Sequence, residues 1–92
     1  MLLAGACTSV PGETMTPRAV QRDVHDRVLT LARKADPQCR QPKVTATEIL
    51  DVHPDGRPSA ELWSVQLCGR RANYVVNFPA KRGPGFSVRE ER

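Results

Sequence analysis

The hydrophobic period of this chain changes once, and the change falls at Asp36-Pro37. Before it, Val20, Val24, Val28, Leu31, Ala32 and Ala35 recur at spacings of three and four, which places them on one stripe of an α-helix. Thr16 is a good N-cap and Pro17 suits the first helical position, so the helix is expected to begin there. It stops at Asp36, because the residue before a proline is pushed out of the α region. Arg18, Arg22, Asp26, Arg33 and Lys34 fall off the stripe and read as a solvated face. The stripe is Val and Ala without large anchors, which suits packing on a sheet better than lying in a membrane surface.

After the break the period is two. Val44 to Val52 is rich in β-branched residues, and His53-Pro54-Asp55-Gly56 is turn chemistry. Leu62 to Cys68 alternates with Trp63, Val65 and Leu67 on one face, and Ala72 to Phe78 alternates with Ala72, Tyr74, Val76 and Phe78 on one face. A two-residue turn at Gly69-Arg70 would set Leu67 opposite Ala72, Val65 opposite Tyr74 and Trp63 opposite Val76, with every apolar side chain on the same side. Gly83-Pro84-Gly85 reads as a loop, and Phe86 to Val88 as a short edge strand. The expected fold class is α+β, one N-terminal helix packed on a three- to four-stranded antiparallel β-meander, with Trp63 buried beneath the helix.

Residues 2–7 read LLAGAC, an apolar run ending in small residues directly before a cysteine. The string resembles the end of a bacterial lipoprotein signal peptide, in which small residues such as Ala4, Gly5 and Ala6 precede the cleaved bond and Cys7 carries the lipid. Ala4 stands where leucine is usual, no basic n-region precedes it, and the apolar run is shorter than the usual stretch of about 7 to 15 residues. The reading therefore expects a start upstream of Met1. The resemblance implies acylation of Cys7, palmitate-type chains included, and membrane anchoring without any spanning segment. Thr8 rather than Asp after the cysteine implies the outer membrane, on its periplasmic side. Residues 8–15, broken by Pro11-Gly12, read as a flexible tether, which leaves residues 16–92 as one small domain.

A second resemblance lies in the hairpin. Trp63, Val65, Cys68 and Gly69, followed by Tyr74, Val76 and Phe78, form a W-x-V-x-x-C-G and Y-x-V-x-F pattern. It is similar to that of small proteobacterial lipoproteins of unknown function, and it implies a lipoprotein without implying an activity.

Three cysteines are an odd number, and lipidation of Cys7 leaves Cys39 and Cys68 as a pair. Cys39 precedes the first strand and Cys68 ends the antiparallel second, so both fall at one end of the sheet. An oxidising periplasm permits the bond, and closing the intervening loop would stabilise by roughly 3 to 4 kcal/mol. Zinc is the alternative, with His25 and His53 as further ligands, but there is neither C-x-x-C nor H-x-x-x-H spacing and the two histidines fall far apart. No metal, cofactor or catalytic site is expected. Asp23, His25 and Asp26 crowd one helical segment with Ser64 on a strand, yet neighbours in sequence do not face each other as a triad requires. Glu48 and Asp51, three apart on a strand, are expected on opposite faces, which is wrong for a carboxylate pair.

The formal net charge is +4. Arg33 and Lys34 at the helix end, Arg40 and Lys43 before the first strand, and Arg70 and Arg71 at the hairpin turn would gather at one end of the meander. Solubility and favourable cations near a helix C-terminus account for such a cluster, and so does an anionic envelope partner. Nucleic acid is not expected, since the aromatics fall mostly on the core face. The sequence thus points to a non-enzymatic accessory or interaction module of the envelope. A periplasmic enzyme inhibitor of the lysozyme-inhibitor type is one alternative, and a cytosolic basic protein that binds nucleic acid or an acidic partner is the other.

Overall fold

A computed structural model describes residues 11–80 and 85–91 of the chain. One helix, α1 (Arg18–Ala35), is followed by four strands, β1 (Lys43–Val52), β2 (Pro58–Gln66), β3 (Arg71–Asn77) and β4 (Ser87–Glu91). The strands form one antiparallel sheet in the order β1-β2-β3-β4. This is the α+β meander that the change of period implies. The expected lipidation residue, Cys7, and part of the Gly83-Pro84-Gly85 loop lie outside the described residues.

Helix α1 lies on one face of the sheet and buries Val24, Val28 and Ala32, with Val20, Leu29 and Leu31 partly covered. Ala35, the last residue of the expected stripe, is exposed. The inner face of the sheet supplies Val44, Trp63, Val65, Ala72, Tyr74 and Val76, all at most 5% exposed. Trp63 is fully buried, and its indole meets the His25 ring edge-on at 6.5 Å. Phe78 and Phe86 pack together at 6.4 Å beside this core.

Two details of the start of the helix differ from expectation. Pro17, with ψ near 141°, is itself the N-cap and offers no capping side chain. Thr16 is buried and its hydroxyl donates to Glu61 rather than to the helix. A buried carboxylate with no cation bound among the described residues needs donors more than the exposed first turn needs a cap.

Residues 11–15, expected as part of the tether, are docked on the sheet. The Glu13 amide donates to the Thr47 carbonyl at 3.1 Å, and the single Thr47 hydroxyl proton is shared between the Pro11 and Glu13 carbonyls at 2.9 and 2.6 Å. Gly12 has φ near 99° and lies so close to β1 that a Cβ would stand 2.6 Å from the Thr47 carbonyl oxygen. Only glycine satisfies both conditions. The segment then crosses to β2, where the Glu61 carboxylate accepts from the Thr14 hydroxyl (2.8 Å), the Met15 amide (2.6 Å), the Thr16 hydroxyl (2.9 Å) and Trp63 Nε1 (3.1 Å). Glu61 is fully buried, and its four partners all donate, as an acceptor-only carboxylate requires.

The β2–β3 hairpin has the expected faces in a different register. Val65 pairs with Ala72, Trp63 with Tyr74 and Glu61 with Val76. The turn residues are Cys68 and Gly69, closed by the Leu67 amide on the Arg70 carbonyl at 2.7 Å, with Gly69 at φ near 97°. A shift of two residues leaves every side chain on its original face, so the hydrophobic pattern does not distinguish the two registers. Gly69 in the second turn position satisfies the left-handed backbone there, whereas Arg70 in that position would be strained.

Candidate functional site

The disulfide fixes one end of the domain. Cys39 and Cys68 are joined, with Cα atoms 5.4 Å apart, so the α1–β1 connection is tied to the β2–β3 turn. Cys39 is buried, and its amide donates to the Asp36 carbonyl at 3.0 Å. The six expected cations collect around this staple. Arg33 and Lys34 are in the last turn of α1, Arg40 follows Cys39, and Arg70 follows the turn that holds Cys68. Lys43 and Arg71 both pair with Gln66, one from each side, in a single row across β1, β2 and β3.

A polar groove of about 490 Å³ opens at this end, lined by Ala35, Arg70, Arg71, Ala72, Asn73, Glu90 and Glu91. Arg70 and Arg71 are the two expected cations that form its wall. Glu90 and Glu91 come from β4 and were not expected there, because the apolar alternation of Phe86 and Val88 stops before them. Arg70 lies 4.0 Å from Glu90. The pair is partly exposed, so it orients the two side chains more than it stabilises the fold. Two guanidinium groups and two carboxylates thus line one groove.

Tyr74, directly across the ladder from Glu90, is 1% exposed and its hydroxyl has no hydrogen-bond partner. Burial pushes its pKa above the ordinary 10.0, the Glu90 charge adds to this, and Arg70 offsets part of it. The buried phenol thus holds its proton more tightly than an exposed tyrosine does. Asn73, which lines the groove, likewise has a buried Oδ1 without a partner.

The remaining chemistry-bearing residues are separated or serve the fold. His53 Nε2 lies 2.9 Å from the Phe78 carbonyl at the opposite end from Cys39 and Cys68, and His25 packs on Trp63. Among the described residues no three His, Cys, Asp or Glu side chains gather as metal ligands would. Glu48 and Asp51 do not point to opposite faces. The bulge between Ile49 and Asp51 sets them opposite Leu62 and Ala60, so both share the outer face, where both are exposed. Among the described residues no helix is long and apolar enough to cross a membrane.

Comparison with protein-family models, with curated proteins and with solved structures returned no match to this chain.

Proposed function

We propose that this chain is a lipid-anchored, non-enzymatic binding module of the bacterial envelope, held by Cys7 on the periplasmic side of the outer membrane. The Cys39–Cys68 bond is the observation that carries the reading. It accounts for two of the three cysteines and supports an oxidising compartment, where such bonds form and persist. Cys7 is the third cysteine, directly after small residues of the kind that precede a lipidated cysteine. The groove at the disulfide end supports the second half of the reading. Arg70 and Arg71 line it with Glu90 and Glu91, and the other four cations belong to the same end of the domain, which suits a partner that is anionic overall and presents a cationic or donor group to Glu90 and Glu91.

Metabolic labelling with a fatty-acid analogue in the native host tests the anchor. Wild-type protein takes up label and fractionates with the outer membrane, whereas Cys7→Ser does neither. Equal labelling of both chains, or recovery of the wild type with free thiols at Cys39 and Cys68, refutes the assignment.

A further inference from the structure

We propose that the β1 edge of the sheet is a membrane-seating surface, with Met15, Leu50 and Val52 resting in the headgroup layer of a zwitterionic bilayer. The inference rests on the lipidation of Cys7 and adds to it an orientation for the domain. Among the described residues, these three are the large apolar side chains left exposed, at 39%, 47% and 41%. Leu50 and Val52 are two residues apart in one strand, and Met15, distant in sequence, is brought to the neighbouring Ile49–Glu61 position of the ladder. Leu50 and Val52 belong to β1, which is an edge strand. Met15 belongs to the docked segment, and its amide binds Glu61, which is paired across the ladder with Ile49.

Chain length decides what covers this edge. The segment is fastened to β1 from Pro11 onward by the Thr47 contacts. Only Thr8, Ser9 and Val10 then separate it from Cys7, and four Cα steps reach at most about 14 Å. A lipid on Cys7 therefore holds the β1 edge against the bilayer rather than leaving the domain on a long leash. Apolar side chains on a surface within that reach bury themselves at the headgroup boundary, which strengthens anchoring by acyl chains.

The charges select the kind of bilayer. Glu13, Glu48 and Asp51 are exposed along the same edge or on the segment docked to it. They oppose an anionic surface and suit ammonium headgroups such as phosphatidylethanolamine. The basic groove lies at the β3–β4 side of the opposite end, so seating on β1 turns it away from the membrane.

The test supplies the anchor chemically. With Cys39 and Cys68 joined, Cys7 alone reacts with a maleimide phospholipid in vesicles of phosphatidylethanolamine and phosphatidylcholine with brominated acyl chains. In Leu50→Trp and Val52→Trp the added tryptophan loses emission to the bromolipid. In Arg33→Trp the added tryptophan keeps it, as does buried Trp63 in the wild type. Emission from Leu50→Trp and Val52→Trp as unquenched as that of Arg33→Trp overturns the proposal. So does a Cys7-blocked soluble protein that sediments as a dimer and becomes monomeric in Leu50→Asp, since the edge then belongs to a second copy. Because the coupling replaces the host's lipidation, a negative labelling result and a negative quenching result refute different statements.

Discussion

Replacing Glu61 tests the least ordinary feature of the fold, a fully buried carboxylate with four donors and, among the described residues, no cation bound to it. Glu61→Ala leaves all four donors without an acceptor. Thr14 and Met15 are partly exposed and can turn to water, but Thr16 is 3% exposed and Trp63 is fully buried. Two buried donors left unsatisfied at about 1–3 kcal/mol each give a loss of roughly 2–6 kcal/mol before any cavity is counted. A small domain has a total stability near the lower end of about 5–15 kcal/mol, so Glu61→Ala is expected to be largely unfolded or close to it.

Glu61→Gln is the more informative variant. It keeps the volume and one acceptor oxygen, yet turns an amide toward the Met15 N–H or the indole N–H, neither of which can accept. Losing charge-assisted character on one such bond predicts a loss of about 1.5–3 kcal/mol. With a urea m-value near 1 kcal/mol/M for so small a protein, the midpoint falls by roughly 1.5–3 M. Trp63 fluorescence follows the transition, and amide hydrogen exchange at Met15 and Thr16 reports the docked segment separately. Exchange there should accelerate by more than global unfolding explains. An unchanged midpoint together with wild-type exchange at Met15 refutes the clamp.

Three further outcomes follow from other contacts. Gly12→Ala combines a left-handed φ with a clash against the Thr47 backbone, so it should release residues 11–13 from β1, visible as faster exchange at Glu13 and loss of about 1 kcal/mol or more. Cys68→Ala removes the staple that closes 29 residues of chain and should lower stability by roughly 2–5 kcal/mol, read by thermal unfolding with and without reductant; equal melting of variant and oxidised wild type contradicts it. Asp55 is held below its ordinary pKa of 3.8 by the Arg57 side-chain hydrogen bond first and the Arg57 amide second. Its contribution is fully present above pH 3.8 and lost as the pH falls through the lower folded value, so an NMR titration should show Asp55 titrating late, and Arg57→Ala should move it only part of the way back to the ordinary range, because the amide of residue 57 still donates.

What the sequence made legible follows from what periodicity encodes. Element types and faces were readable because Val20, Val24 and Val28 repeat as a helix does, while Trp63, Val65 and Leu67 repeat as a strand does. Register was not, since a slip of two residues preserves every face, and only the backbone conformation of Gly69 separates the alternatives. Bulges escaped for the same reason: the extra residue at Leu50 changes which face carries Asp51, and nothing in the composition of β1 marks it. The groove was half legible. Its cations were visible as pairs at element ends, whereas Glu90 and Glu91 lie beyond the last apolar residue of the final strand. Glu61 did leave a trace, because it continues the Trp63, Val65, Leu67 alternation one step earlier with a charged residue. Its donors come from residues 14–16, and no local pattern indicates so distant a partner.

The two fastenings in this domain divide its labour. Helix α1 and the meander bury one modest layer of Val and Ala with Trp63 and Tyr74, flanked by partly buried Phe78 and Phe86, which is little core for the chain that must be ordered. Both remaining connections are secured by bonds between residues far apart in sequence, the disulfide over 29 residues and the Thr16–Glu61 bond over 45. They act at different places. The disulfide ties the turn that carries Arg70 to the end of α1 and so shapes the groove, while Glu61 ties the incoming chain to β2 beside the β1 edge. A change at one reaches the other along β2, which runs from Glu61 toward the Cys68 turn, and through the Trp63–Tyr74 pair, where the residue whose indole donates to Glu61 is paired across the ladder with the tyrosine opposite Glu90. The two fastenings thus rest on separate supports within one small core, and Trp63 is the residue whose loss would compromise both.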